Sequence, residues 1–200
     1  MWALVESGSV TKVYNRPRAL TIGDVSYPQN IFTMWSSSDL EALGIYAVEF
    51  NSTNFKDQAY YINTDQTFAL ASGTVTASYG TATVQAIADT LYTAEDETDG
   101  LGTEGEVKST GLKTSHKENI NQQASSLLSQ TDWYSIRAAD GGTAVPSSVS
   151  NHRTAVRTKA NAMCTLIDNA SDVDALKALY VYNDDSPPVR PLGNFPILGA

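Results

Sequence analysis

The chain has 200 residues, 42% of them hydrophobic and only 18% charged, with a formal net charge of -9. That length and composition suit one large or two small folded domains, and an acidic surface argues against nucleic acid and anionic membranes as partners, because both select basic patches. The single cysteine, Cys164, excludes an internal disulfide framework, no apolar run approaches the ~20 residues of a membrane span, and MWALVESGSV lacks the basic and apolar regions of a signal peptide. The expectation is a protein made in a cytoplasm, without membrane insertion.

The first 92 residues read as β-rich. WALVE and VTKVY are short β-prone runs joined by Ser7-Gly8-Ser9, where Gly8 supplies the positive φ of a tight turn. Arg16-Pro17-Arg18 breaks the pairing, and ALTIGDVSYP predicts a further strand pair turning at Gly23-Asp24. In WSSSDLEALG, Ser38 and Glu41 have capping-box spacing and Gly44 suits a helix stop, so a short helix is expected before the strand IYAVEF. Alternation there groups Tyr46, Val48 and Phe50 on one face. QAYYIN, TFALAS and TVTASYG are further strand candidates, with turns at Asn63-Thr64-Asp65 and Ser72-Gly73. TVQAIADTLY fits either a helix or a strand. Tyr46, Tyr60, Tyr61 and Tyr79 are candidate surface-binding aromatics, since rigid rings give contact area at low entropy cost. The competing reading is ordinary half-buried sheet residues.

Residues 93–111 carry six acidic side chains and one basic, with four glycines and few large apolar groups. This predicts an acidic Gly-rich linker, because little surface can be buried to offset ordering. DETDGLGTEGE lacks the alternating ligands and closing Glu of a calcium loop.

Residues 112–182 predict a three-helix domain. Leu112, Ile120, Ala124, Leu127 and Leu128 form one helical stripe that includes His116. Val149, Val156, Ala160, Met163, Cys164 and Ile167 form a second, after Pro146 and an N-cap at Ser147 or Ser148. A third helix is expected from Ser171, with Asp174 in a Ser-x-x-Asp box. Residues 183–200 hold four prolines and no periodicity, and read as an extended arm. The expected fold class is thus α+β: a β-rich domain at 1–92, a linker at 93–111, a helical domain at 112–182 and the arm.

TDWYSIRAADGGTAVPSSVSNHRTAVR is the most distinctive stretch. Trp133, Tyr134 and Arg137 lie where the first long helix ends, Gly141-Gly142 and Pro146 make the connection, and Arg153 and Arg157 sit one turn apart on the return. Two readings compete. One is a helical joint whose aromatics cap the core while arginines stack on them or hold carboxylates. The other is a three-arginine site for a phosphate or carboxylate, with Asp132, Asp140 and Asp168 close enough in sequence to neutralise it. No zinc spacing, Gly-x-Ser-x-Gly, P-loop or dinucleotide fingerprint is present, and Cys164 lies on an apolar stripe where thiols are usually inert. No catalytic residue, metal ligand or cofactor is expected.

Asp132-Trp133 followed by Arg137, then Pro146, Arg153 and Arg157, then an Ile-Asp and a Leu-rich segment, resembles a small helical domain of unknown function found in tail-fibre and tail-fibre-assembly proteins of tailed bacteriophages. WSSSDLEALGIYAV is similar to a segment preceding that domain, and the chain to about residue 196 resembles virion proteins of marine tailed phages. The resemblance implies a structural tail component that is not an enzyme: a fibre, fibre-attachment, or tail-tip or baseplate protein. Its implied partners are further copies of itself, with a trimer favoured, and other tail proteins, and its implied location is the virion. Alternatives are a fibre-assembly chaperone absent from the mature particle, or a protein that binds or degrades a host surface glycan.

Overall fold

Ser7-Gly8 and Ser72-Gly73 both place two successive residues at positive φ (50° and 77°, 51° and 81°). That is the turn whose twist matches a right-handed strand pair, and each closes a hairpin in the computed structural model of the protein, which describes residues 1–198. The first hairpin joins β1 (Trp2–Glu6) to β2 (Ser9–Tyr14), with a bulge between Leu4 and Val5. The second joins β7 (Gln66–Ala71) to β8 (Thr74–Tyr79). Between them run β3 (Leu20–Ile22), β4 (Val25–Tyr27), α1 (Ile31–Met34), α2 (Ser37–Ala42), β5 (Ile45–Asn51) and β6 (Tyr61–Ile62). β5 pairs antiparallel with β1 and parallel with β8, giving a five-stranded sheet in the order β2-β1-β5-β8-β7. β3 and β4 form a separate hairpin, and β6 pairs with β9 (Thr83–Val84).

The chain is mixed α+β and divides into two compact units, residues 1–84 and 85–200. In the first unit, residues facing each other across strands share a face, so Leu4 and Ile45 lie on one side of the sheet, with Ala3 and Tyr46 on the other. Leu4, Tyr14 and Ile45 pack with Leu20, Ile31, Phe32 and Leu40 from the β3–β4 hairpin and the two short helices. Full burial of an aliphatic side chain such as Ile45 contributes about 1.5–3 kcal/mol. Val75 and Ala77 are buried on the opposite face. The strand IYAVEF forms, but its burial differs from the alternation: Ile45 is fully buried, Tyr46 and Val48 are half-buried, and Phe50 is exposed. β1 ends its pairing at Trp2–Ala47, with the Val48 amide still donating to the Met1 carbonyl; past Val48 the described pairing of β5 is with β8, and Phe50 is exposed.

The capping box of α2 is Ser36 with Asp39, not Ser38 with Glu41. Gly44 follows the helix at φ 78°, and only glycine fits there, because a Cβ would meet the Val5 carbonyl oxygen at 2.6 Å. The ambiguous segment 83–92 contains β9 and, in the second unit, β10 (Thr90–Leu91).

The second unit begins with order where a linker was expected. Thr93 and Asp96 close a capping box on α3 (Ala94–Thr98), and β11 (Val107–Ser109) pairs back onto β10. Tyr92 exchanges backbone hydrogen bonds with Glu106 and Gly105 across the base of this acidic loop. An ion pair of 2.6 Å between Lys108 and Asp96 pins its two arms. Local capping and pairing supply what apolar burial does not.

Residues 112–182 hold four helices rather than three: α4 (Leu112–Ser129), α5 (Asp132–Ala139), α6 (Ser147–Asp168) and α7 (Val173–Ala178). Pro146 is the N-cap residue of α6, and Asp172, whose carboxylate accepts from the Ala175 amide, is that of α7. Leu112, Ile120 and Ala124 of α4 are buried with Val149, Val156, Ala160, Met163 and Ile167 of α6. The two run antiparallel: Lys113 and Lys117 of α4 bind the Asp168 carbonyl and carboxylate at the α6 C-terminus. The segment from 183 is not a free arm. Asn183 and Val189 close a turn, the Leu192 amide donates to the Leu179 carbonyl, and Leu192 is fully buried.

Candidate functional site

The corner between α4, α5 and α6 collects most of the motif residues. α4 ends at Ser129, and Thr131 turns the chain into α5, whose first turn carries Asp132. Thr131 is the one buried polar residue among those described. Its hydroxyl donates to the Leu128 carbonyl at 2.9 Å and accepts from Arg153 Nη1 at 2.7 Å. The same nitrogen donates to the Leu128 carbonyl at 2.7 Å, and Arg153 Nη2 lies 2.8 Å from Asp132 Oδ1. Arg153 therefore closes the C-terminus of α4 and the N-terminus of α5 from α6, and its side chain is only 12% exposed. A guanidinium suits this place, because it can serve three acceptors in fixed directions and stays charged when desolvated.

Trp133 and Tyr134 do not cap the core. Trp133 is 50% exposed and its neighbour Ile136 61%, so α5 presents an apolar face outward. The Trp133 and Tyr134 rings lie 3.8 Å apart, and the Arg137 guanidinium sits 4.8 Å from the first and 5.3 Å from the second. Arg137 Nε is buried without a hydrogen bond, and the aromatic faces are its compensation. The Gly141-Gly142 pair serves this stack. Gly141 ends α5 at φ 80°, and a Cβ on Gly142 would run into the Arg137 side chain and carbonyl at 2.8 Å.

Arg157 takes no part in the corner. It is exposed and stands between two grooves that share Arg153 and Arg157. The larger, about 440 Å³, lies between α4 and α6, with Ala124, Leu128 and Ala160 at its base and Asn121, Ser125, Asp132 and Asn161 on its rim. The smaller, about 290 Å³, adds Ser135, Val145, Ser150 and Thr154. The three arginines thus separate into three roles: Arg153 bound to protein acceptors, Arg137 stacked, and Arg157 open. Asp140 is exposed at the end of α5, and Asp168 pairs with Lys117 at 2.7 Å, so of the acidic candidates only Asp132 meets an arginine. Thr131 and the Leu128 carbonyl were not singled out by spacing. The one cue was a Thr-Asp pair ahead of a short helix, which is common.

The four tyrosines do not make one platform. Strand register puts Tyr46 near the start of β5, while Tyr79 lies beyond Asn51–Ser78 at the other end. All four are half-buried. Tyr79 stacks on Phe55 at 5.0 Å, and burial with the nearby Asp57 raises the Tyr60 hydroxyl above its ordinary pKa. His116 donates to or accepts from the Tyr180 hydroxyl at 2.6 Å, and its burial lowers its pKa. Burial likewise raises the Cys164 thiol. Among the described residues there is no group of three His, Cys, Asp or Glu able to hold a metal ion, and no helix is long and apolar enough to cross a membrane.

No family model matches the chain, and neither a curated protein nor a solved structure proves similar to it.

Proposed function

We propose that the protein is a structural component of a bacteriophage tail, a fibre, fibre-attachment or tail-tip or baseplate piece that works through protein–protein assembly. One observation carries the reading: α5 holds Trp133, Ile136 and the Arg137-stacked Tyr134 at the surface, on a helix locked to its neighbours by Arg153. Trp, Tyr and Arg are the residues that most often anchor protein interfaces, and a rigid backbone lowers the entropy lost on docking. These residues belong to the stretch that resembles the phage tail domain. Further exposed apolar side chains at Val181, Tyr182 and Val189 offer additional contact area in the same unit. A β-rich unit followed by a helical unit with a packed C-terminal segment is the layout of this reading. Homo-oligomers, with a trimer favoured, and other tail proteins are its partners.

The test is mass spectrometry of purified particles of the phage that encodes the chain, with copy number taken relative to the capsid protein. A count at a multiple of three or six supports a tail component. Absence from particles despite expression in infected cells points instead to an assembly chaperone.

A further inference from the structure

The α4–α6 groove differs in character from the apolar face of α5. Ala124 and Ala160 are buried and small, so the helices leave room above them that no side chain fills. The rim is polar: Asn121, Ser125 and Asn161 bring two amides and a hydroxyl, all exposed. At about 440 Å³ the groove is within the roughly 300–1,000 Å³ range of small-ligand sites.

Its charge is distinctive too. The protein carries a net charge of -9, yet the groove holds two arginines against one aspartate. Arg153 is already occupied by Asp132, Leu128 and Thr131. Arg157 has no hydrogen bond, ion pair or aromatic contact among the described residues, so its five donors are available to an acceptor from outside.

We propose that this groove binds a carboxylated sugar, a uronic-acid-type residue, with Arg157 gripping the carboxylate and Asn121, Ser125 and Asn161 serving the ring hydroxyls. A guanidinium matches a carboxylate in a two-point, charge-assisted contact. Phosphate fits less well, because its oxygens mostly accept and leave the amide carbonyls of Asn121 and Asn161 without a donor. Amides and a hydroxyl can each donate and accept, as adjacent sugar hydroxyls require. An acidic peptide is the weaker candidate: recognition of acidic motifs uses a cluster of arginines, and here Arg153 is bound to Asp132, Leu128 and Thr131, which leaves Arg157 open. The proposal does not rest on the tail-assembly reading, since it concerns the purified chain alone.

The test is amide NMR of the ¹⁵N-labelled full chain titrated with glucuronate, glucose, acetate and polyglutamate. Saturable shifts are expected at Asn121, Ser125, Arg157 and Asn161 with glucuronate. Binding of glucose should be weaker by about tenfold or more, the value of the charge-assisted contact it lacks, and binding of acetate by about tenfold, the value of the ring-hydroxyl hydrogen bonds it lacks. R157Q should lose the glucuronate response while its thermal unfolding stays at the wild-type temperature. Four results would overturn the proposal: no saturable shift with glucuronate, acetate binding as tightly as glucuronate, polyglutamate binding where glucuronate does not, or an unchanged response in R157Q. Presence or absence of the protein in phage particles bears on the assembly reading and leaves these outcomes untouched.

Discussion

Arg153 on α6 and Thr131 at the turn into α5 meet at 2.7 Å, twenty-two residues apart in sequence, and the hydroxyl they share is buried. Arg153→Ala removes one of the two hydrogen bonds of that hydroxyl and one of the donors to the Leu128 carbonyl, together with the partner of Asp132. Hydrogen bonds to a charged group contribute about 1.5–3 kcal/mol each, but Thr131 retains its own bond to Leu128. The expected loss is about 2–4 kcal/mol in urea unfolding of the second unit, followed by Trp133 fluorescence in a chain with Trp2 and Trp35 replaced by Phe. Asp132→Ala should cost under about 1 kcal/mol, because that carboxylate is half-exposed. Equal losses from the two variants would show that the ion pair, not the buried corner, holds the helices.

Gly111 and Asp89 make a second joint. The Gly111 amide donates to Asp89 Oδ1 at 2.7 Å, Thr114 Oγ1 donates to Asp89 Oδ2 at 3.0 Å, and the Leu112 and Lys113 amides donate to the Ala86 and Ile87 carbonyls. Three amides at the α4 N-terminus are thus satisfied by the chain just before the acidic loop. A Cβ on Gly111 would collide with the Ala88 backbone, although its φ of -83° is open to any residue. Gly111→Ala is therefore expected to destabilise through contact rather than backbone strain, by about 1–3 kcal/mol. Hydrogen exchange should quicken at Leu112 and Lys113 while Met163 stays protected.

These two joints show where sequence reading reaches and where it stops. The stripes through Ile120 and Ala124 and through Val156 and Ile167 were legible because helical periodicity is local, and so were the Ser7-Gly8 and Ser72-Gly73 turns. The order of the acidic loop is not legible in composition, because it comes from capping at Thr93 and from pairing across the loop's base. The position of Trp133 is open in the sequence for a related reason. An aromatic beside a helix end is equally consistent with core and surface, and only the packing of α5 decides. Arginine spacing marked the site region, but the division of labour among Arg137, Arg153 and Arg157 depends on which acceptors the fold brings near.

Half-exposure of Trp133 separates its stability role from its contact role. Trp133→Ala removes stacking on Tyr134 and Arg137 and little else, so the expected loss of stability is about 1 kcal/mol, against ~3–5 for a buried indole. If α5 is an assembly surface, the same variant should shift the chain to a smaller species in light scattering after size exclusion, at unchanged far-UV circular dichroism. A variant that unfolds early but assembles normally when folded would remove α5 from the interface.

The acidic loop should respond to pH through Asp96. A hydrogen bond from Lys108, with further bonds from the Thr93 amide and hydroxyl, holds its carboxyl at a pKa of about 2, below the ordinary 3.8. A depressed carboxylate pKa means that the unfolded chain binds the proton more readily. The contribution is therefore complete above pH ~4 and is lost as pH falls toward 2, when protonation breaks the ion pair and the cap together. Carbonyl-detected NMR should show Asp96 titrating well below the ordinary 3.8, with hydrogen exchange at Tyr92 and Gly105 accelerating over the same interval. Lys108→Ala should move the Asp96 midpoint upward toward 3.8 without abolishing the shift, since the Thr93 bonds remain. A midpoint that does not move in that variant would mean the cap alone sets the acidity, and that the ion pair contributes nothing to the order of the loop.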